Sequence, residues 1–421
     1  MSDKLTLSTL RNAIAGSAAA LRTRTRLQPA GGPGDKVFPP TFAGAVYAIE
    51  KRRLPDRDTP ATCVLLDSVQ SQANRMESAL QEAVDAGQIT MPLVVVDFTE
   101  HDPTGDLDAD REAGRLLDSV GRVSSLQVPH RLADAILRDS ELDGVPFRKS
   151  LKGKALNTVS LTNATPLFEL CPTALVFGMW DSTGPKGGLG PKFERAMVSE
   201  IVGIAGEIGD LRRGVRRDPL QISKNVLVVR NEDRSLRKVA GSGEQNAIPP
   251  SETNHGSVPF PKQRETKTDE NYFDGVTIEY AEQITTLSLI VLRRLRFPLN
   301  GKRNPDTDIS AQTVLATLGL CAATLAFEAG VALRSRCLLW PDEPLTWELL
   351  ERPGKEAKRF SLSGYEALAL LMDAVAHAKE VGPPWPEEGD EPVILHPSPE
   401  LVKLVRLSQV ELLKTGAEEA A

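Results

Sequence analysis

Three arginines at two-residue spacing could bind an anion: Arg22, Arg24 and Arg26 in the segment LRTRTRLQP. Successive side chains of a β-strand point to opposite faces, so an extended segment places all three guanidinium groups on one face. Such a stripe can bind the phosphates of a nucleic acid. It can equally be the solvated face of an edge strand, where charge blocks aggregation. The spacing predicts a strand and leaves its role open between these two.

The second candidate for phosphate binding is a glycine-rich segment at 174–203, ALVFGMWDSTGPKGGLGPKFERAMVSEIVG. We expect an apolar strand that ends near Trp180, followed by a glycine-rich loop. Glycine backbone in such a loop can approach phosphates closely. The loop residues that could line a phosphate are Lys186, Gly187, Gly188, Lys192 and Arg195. Their order does not fit a nucleotide-binding P-loop, so ATP binding is disfavoured. Glycines that serve only the turns of a long hairpin explain the segment equally well.

The remaining candidates are polar residues on predicted surfaces. Apolar residues at steps of three and four predict a helix over 68–86, and its N-terminal end can meet phosphate. The candidates there are Gln70, Asn74 and Arg75. Further candidates elsewhere are Lys36, His130, Arg131, Arg138, Asn254 and His255. Residues 130–138 fall in a predicted short helix that presents His130, Arg131 and Arg138 outward. Ordinary surface polarity explains Gln70, Asn74 and Arg75 equally well, and a lone loop histidine such as His255 is more often incidental.

Several classes of protein are disfavoured by composition. The four cysteines and five histidines lack the spacing of a zinc site or a disulfide framework. We therefore expect no metal site. We also expect no cofactor and no catalytic residue. The longest weakly polar run, 313–327, is shorter than the roughly 18–20 residues of a bilayer span and predicts a buried helix. With no signal-peptide pattern at the N-terminus, we expect a cytoplasmic protein without a membrane partner.

Charge is uneven along the chain. The net charge is −7, yet residues 1–60 carry +5, residues 145–240 carry +7 and residues 341–421 carry −8. Phosphate contacts depend on the local field and not on the total, so this distribution permits a surface that binds a polyanion. Solvated charge runs of no special function are the alternative.

Ordered sequence blocks carry a resemblance to a known family. The blocks are LQPAGGPGDKVFPPTF, CVLLDSVQSQANRME, PHRLADAILRDS, NATPLFELCPTALVFGMWDSTGPKGGLGPKFERAMVSEIVG, EYAEQ, LRRLRFP and LRSRCLLW. Together they resemble the backbone subunit of type I-G (formerly I-U) CRISPR Cascade, a RAMP-superfamily protein. The resemblance runs from about residue 20 to 410.

The resemblance implies an α+β fold. Residues 1–305 would form an RRM-like (ferredoxin-like) palm, with finger and thumb insertions near 100–165 and 231–275. Residues 306–421, where three segments have helical patterns, would form a helical region packed on the palm.

The same resemblance implies a function. Copies of the chain would polymerise along a CRISPR RNA, contact other Cascade subunits and support pairing of the guide with a target DNA strand. The stripe has arginines where an ordinary RRM presents stacking rings, which favours gripping of the sugar-phosphate backbone over reading of bases.

Two other classes of function stay open at this stage. A ribonuclease could use Asp181 with Ser182, or His130 with Asp139. Asp181 has no paired carboxylate in sequence, so capping of a turn is the better account of it. A purely structural oligomer without nucleic acid is the third class, and it differs from an RNA filament in lacking strong salt dependence.

Overall fold

The structure, a computed structural model, has a mixed α/β architecture. It describes residues 3–43, 46–55, 57–184, 187–208, 214–216, 218–223, 225–231, 235–241, 243–253, 255, 258–260 and 275–418.

Within these residues the helices are α1 (Leu7–Ala15), α2 (Val69–Asp85), α3 (Leu107–Glu112), α4 (Ala135–Arg138), α5 (Leu151–Ala155), α6 (Thr165–Leu170), α7 (Thr173–Phe177), α8 (Leu289–Leu292), α9 (Pro305–Glu328), α10 (Gly364–Val381) and α11 (Pro399–Glu418). The strands are β1 (Asp3–Lys4), β2 (Ala20–Pro29), β3 (Lys36–Val37), β4 (Thr41–Phe42), β5 (Val46–Tyr47), β6 (Ile49–Arg52), β7 (Ala61–Asp67), β8 (Val94–Asp97), β9 (Arg122–Ser124), β10 (Ser140–Leu142), β11 (Val145–Pro146), β12 (Met179–Trp180), β13 (Lys192–Phe193), β14 (Met197–Ile204), β15 (Glu207–Ile208), β16 (Gly214–Arg216), β17 (Val228–Arg230), β18 (Leu236–Val239), β19 (Val258–Phe260), β20 (Val276–Thr277), β21 (Tyr280–Ser288), β22 (Val331–Arg334), β23 (Cys337–Pro341), β24 (Thr346–Leu350), β25 (Lys358–Ser361) and β26 (Val393–Pro397).

The largest sheet has ten strands. Its main path runs β1-β25-β24-β2-β21-β14-β7-β6, and the hairpin β22–β23 joins it through pairing of β23 with β2. Strands β24, β2, β21 and β14 lie side by side in that order, and each is antiparallel to its neighbour. The chain passes from β2 to β14 through α2 and from β21 to β24 through α9. Because α2 and α9 pack against each other and against this sheet, both crossover helices cover the same face.

Strand β2 confirms the predicted strand and its alternation. Leu21 and Leu27 are fully buried, and Thr23 and Thr25 are nearly so, on the face toward the helices. The three arginines lie between them on the opposite, solvent-accessible face. The period of two in the sequence therefore translates directly into one buried and one polar face.

Helix α9 confirms the predicted buried helix. By length and composition it could cross a membrane, but 83% of its most apolar 18-residue window is buried inside the protein. It is apolar around most of its circumference, as in the core helix of a soluble protein.

Strand β8 is buried along its whole length. Val94 and Val96 are fully buried, and β8 pairs in parallel with β26 and antiparallel with β9. This strand belongs to a second sheet of order β11-β10-β26-β8-β9 and not to the ten-stranded sheet.

Two secondary-structure expectations are wrong. Residues 306–421 are not simply helical, since β22 to β26 lie among α9, α10 and α11. The side chains of β22 and β23 alternate between buried and exposed, a period-two signal that the helical expectation overlooked. Residues 173–177 form helix α7 in place of a strand, because a short and fully buried apolar run has no periodicity that separates the two.

The chain divides into two compact units. The first comprises residues 1–100, 120–208 and 275–401, and the second comprises 101–119, 209–274 and 402–421. The expected insertion at 100–165 is thus divided between them. Within the second unit the Gln409 side-chain oxygen accepts a 2.8 Å hydrogen bond from the Leu117 N–H, and β17 pairs with β18.

Candidate nucleic-acid interface

The arginine stripe (Arg22, Arg24 and Arg26) lies on the accessible sheet face, but each guanidinium group has an acidic partner on a neighbouring strand or turn. The pairs are Arg22 Nε to Glu348 Oε2 (2.9 Å), Arg24 Nη2 to Glu282 Oε1 (2.6 Å) and Arg26 Nε to Asp342 Oδ2 (3.7 Å). Arg26 also lies 3.9 Å from the centroid of the Tyr280 ring. Exposed ion pairs of this kind contribute at most about 1 kcal/mol, so a phosphate could exchange with a carboxylate here.

The candidate residues at the start of α2 differ in exposure and in hydrogen bonding. Gln70 and Asn74 are exposed. Arg75 instead donates from Nε to Asp67 Oδ2 (3.0 Å) and from Nη2 to the Leu333 carbonyl (2.9 Å). Its guanidinium group therefore ties the helix to β22 and is largely occupied by protein acceptors.

Asp67 organises the region around the end of β7. Its carboxylate is 1% exposed, accepts a 2.6 Å hydrogen bond from Gln72 Nε2 and lies 3.6 Å from Arg334 Nη2. Arg334 also donates to the carbonyls of Leu66 (2.8 Å) and Phe38 (3.3 Å). One buried acid thus holds two arginines, one on α2 and one on β22.

Arg336 and Phe38 complete what we call the hairpin cluster, defined as Lys36, Phe38, Arg334 and Arg336. The Arg336 guanidinium carbon lies 4.4 Å from the centroid of the Phe38 ring, and the Phe38 N–H donates to the Arg336 carbonyl (3.1 Å). Of these residues, the sequence named Lys36 as a candidate phosphate contact and missed both arginines. The available signal was the Arg-Ser-Arg spacing in LRSRCLLW, at the turn of a hairpin that was not predicted.

The glycine loop between β12 and β13 exposes cationic and aromatic groups. Lys192 Nζ lies 5.5 Å from the centroid of the Trp180 ring, Trp180 is 52% exposed, and Arg195 is exposed. Gly187 and Gly188 lie in a short 3₁₀ turn at the surface. Lys186 lies outside the described residues.

Asp181 forms the buried centre of the same loop. It is 3% exposed and accepts from Arg148 Nη2 at 2.8 Å. A Cβ at Gly184 would come within 2.3 Å of its carboxylate, and a Cβ at Gly190 within 1.9 Å of its carbonyl oxygen. At least these two glycines are therefore explained by packing against Asp181, which supports the structural account of the loop.

The three candidates at 130–138 separate in the structure, and the outward orientation expected for Arg131 is wrong. Its guanidinium group is buried against Glu77, with hydrogen bonds of 2.7 and 2.6 Å to the two carboxylate oxygens. His130 remains exposed. Arg138 is half-buried and donates twice to Asp139 (2.8 and 2.9 Å), which holds the pKa of that carboxyl below its ordinary value. The apolar pattern predicted a helix here but could not show that Glu77 lies opposite Arg131.

Of the last two candidates, the structure describes His255, which lies in the second compact unit. His255 is half-buried, and its backbone N–H donates to the Pro250 carbonyl (2.9 Å). Asn254 lies outside the described residues.

The structure thus brings some of the predicted residues together. The hairpin cluster and the start of α2 share Asp67. Strand β23 pairs with β2 at Gln28 and Trp340, so the hairpin that carries Arg334 and Arg336 joins the sheet that bears the stripe, whereas Lys36 lies on β3 of a separate sheet. Among the described residues, no group of three or more His, Cys, Asp or Glu side chains could hold a metal ion.

Comparison with known proteins finds a similarity over part of the chain. A family model described as CRISPR-associated protein GSU0053 matches residues 21–207. This match supports a CRISPR-associated protein, with a role in CRISPR defence. The matched segment runs from β2 to β15 and includes the arginine stripe, the start of α2 and the glycine loop. The hairpin β22–β23 lies beyond it. No curated protein matches the chain closely enough to count as a relative.

Proposed function

We propose that this chain is the CRISPR RNA-binding backbone subunit of a type I-G Cascade. The observation that carries the proposal is the family match over 21–207, because that segment also contains three of the surfaces on which cationic or polar groups are displayed. The finer assignment, to the backbone subunit and to this type, comes from the sequence blocks that resemble that family.

The order of strands supports an RRM-like palm. The four antiparallel strands β24-β2-β21-β14, with α2 and α9 in the two crossovers on one face, have the spatial order 4-1-3-2 of a ferredoxin-like domain. Strands β7 and β6 then extend this palm on one side, and β25 and β1 extend it on the other.

The accessible groups fit a subunit that grips the RNA backbone. They are cations, amides and glycine backbone at the surface, which suit phosphates and sugars more than base edges. The proposed contacts are Arg22, Arg24, Arg26, Lys36, Gln70, Asn74, His130, Arg138, Gly187, Gly188, Lys192 and Arg195. Arg75 and Arg131 act in the fold, since their guanidinium groups are bound to Asp67 and Glu77. Base pairing between guide RNA and target DNA would then supply the sequence specificity.

We further propose that the subunit is not a nuclease. The aspartate that a ribonuclease would need in the glycine loop, Asp181, is buried and bound to Arg148. The other candidate pair, His130 with Asp139, is also not arranged for catalysis. Asp139 is bound by Arg138, and no contact within the described part of the chain joins Asp139 to His130.

The test is co-expression of the full chain with a CRISPR array, followed by purification and sequencing of any RNA that co-elutes. Guide RNA protected in a large oligomer, released as salt is raised, is the expected result. A large oligomer that forms without nucleic acid and is insensitive to nuclease and salt would establish the structural class instead. Cleavage of complementary RNA that Asp181→Ala abolishes would overturn the non-catalytic assignment.

A further inference from the structure

Arg336 is an exposed cation at the turn between β22 and β23. It forms no ion pair with any residue that the structure describes, unlike the three arginines of the stripe. Its backbone φ is 56°, in the left-handed region where glycine is unstrained and arginine is disfavoured. A long cationic side chain at a position that suits glycine indicates that the side chain itself is used.

The surroundings hold Arg336 in one place. Phe38 lies under its guanidinium group and donates its backbone N–H to the Arg336 carbonyl. The Phe38 carbonyl in turn accepts from Arg334, whose guanidinium group is anchored near Asp67. The cation is thus supported by a partly buried network and has less side-chain freedom to lose when a ligand binds.

The local charge favours an anion. Two arginines, Arg75 and Arg334, share the one buried carboxylate of Asp67, which leaves one positive charge in excess before Arg336 is counted. On the sheet face, in contrast, each arginine of the stripe has a carboxylate within 4 Å. A phosphate at Arg336 therefore meets no competing carboxylate that the structure describes on that guanidinium group.

We propose that Arg336 binds a backbone phosphate of single-stranded RNA at the β22–β23 turn, with Phe38 as the platform that positions it. This assignment rests on the proposed RNA-binding function. It adds an RNA contact outside the segment that the family model matches. We expect this contact to contribute more to RNA affinity than any of the paired arginines of the stripe.

The test variant is Arg336→Gly in the full-length chain. Glycine removes the guanidinium group and relieves the left-handed backbone, so the variant is expected to melt no lower than the wild type. Its affinity for a short oligouridine RNA should fall about tenfold, the loss of one charge-assisted contact. The slope of log affinity against log salt should become shallower by about 0.7, the value for one phosphate contact on a single strand.

Two further variants serve as references. Arg294→Ala removes an exposed arginine that pairs with Glu194 (2.9 Å) and is expected to change RNA affinity less than Arg336→Gly does. Phe38→Leu keeps an apolar side chain but removes the ring, and it should weaken binding severalfold while keeping the wild-type salt slope.

Each outcome bears on one of the two proposals. Wild-type protein that binds RNA together with an Arg336→Gly variant that binds equally well, at the same salt slope, overturns the Arg336 assignment alone. Loss of oligomerisation without loss of RNA affinity also overturns it, since the partner would then be a protein carboxylate. Wild-type protein that binds no RNA, with or without co-expressed guide, overturns the proposed function and this inference with it.

Discussion

Substitution of Arg131 by methionine should destabilise the fold and leave RNA binding by the folded protein unchanged. Arg131 and Glu77 form a bidentate pair whose side chains are 9% and 2% exposed. The guanidinium group also donates to the Gly178 carbonyl (3.0 Å) and lies 5.5 Å from the centroid of the Phe177 ring. Removal of one partner of a buried pair typically costs about 3–5 kcal/mol, because the other charge is left uncompensated. That is a large part of the roughly 5–15 kcal/mol that stabilises an average domain.

The loss should depend on pH in a defined direction. Burial raises the pKa of the Glu77 carboxyl above its ordinary value of 4.5, and removal of Arg131 removes the main interaction that lowers it. A carboxyl whose pKa is higher in the folded state contributes stability at low pH, and that contribution is lost as pH rises through the folded pKa. Arg131→Met should therefore be less destabilised at about pH 5 than at about pH 8.

The assay is urea denaturation of the wild type, Arg131→Met and the double variant Glu77→Gln with Arg131→Met. Because the double variant leaves no buried charge, we expect it to recover much of the lost free energy of unfolding. It also keeps the experiment informative if Arg131→Met alone fails to fold. An Arg131→Met protein that loses less than about 1 kcal/mol and yet binds RNA more weakly would refute the structural role and restore the outward orientation.

Three other predictions test separate parts of the structure. Glu282→Gln should raise RNA affinity severalfold, because it frees an arginine of the stripe from a carboxylate at 2.6 Å; unchanged affinity would remove the sheet face from the interface. Gly190→Ala should lower the midpoint of thermal unfolding, because its Cβ would lie 1.9 Å from the Asp181 carbonyl, whereas Gly188→Ala meets open space and should be neutral. Hydrogen bonds from the helix cap lower the pKa of Glu366 to about 2 from the ordinary 4.5. The stability that this carboxylate contributes is present above pH 4.5 and is lost as the pH falls toward 2. In an acid titration of unfolding, Glu366→Gln should lack this pH-dependent loss of stability.

The sequence by itself determined the elements with clear periodicity. The alternation in LRTRTRLQ gave β2 with its arginines on one face, and apolar steps of three and four gave α2. The apolar run at 313–327 gave a helix that is buried. Such patterns predict the structure because their period shows which face of an element is apolar, and a sheet or helix must bury that face.

Only the tertiary structure decided which polar groups remain available to a ligand. Arg75 and Arg131 have the same chemistry as Arg336, yet the first two are bound to Asp67 and Glu77, and Arg336 lies exposed over Phe38. Asp67 lies only eight residues from Arg75, but the Leu333 carbonyl that Arg75 also binds is 258 residues away, and Glu77 is 54 residues from Arg131. No local pattern could assign these long-range contacts. A charged side chain is removed from the surface only when folding brings an opposite charge and hydrogen-bonding groups to it, and that depends on the long-range packing of the chain.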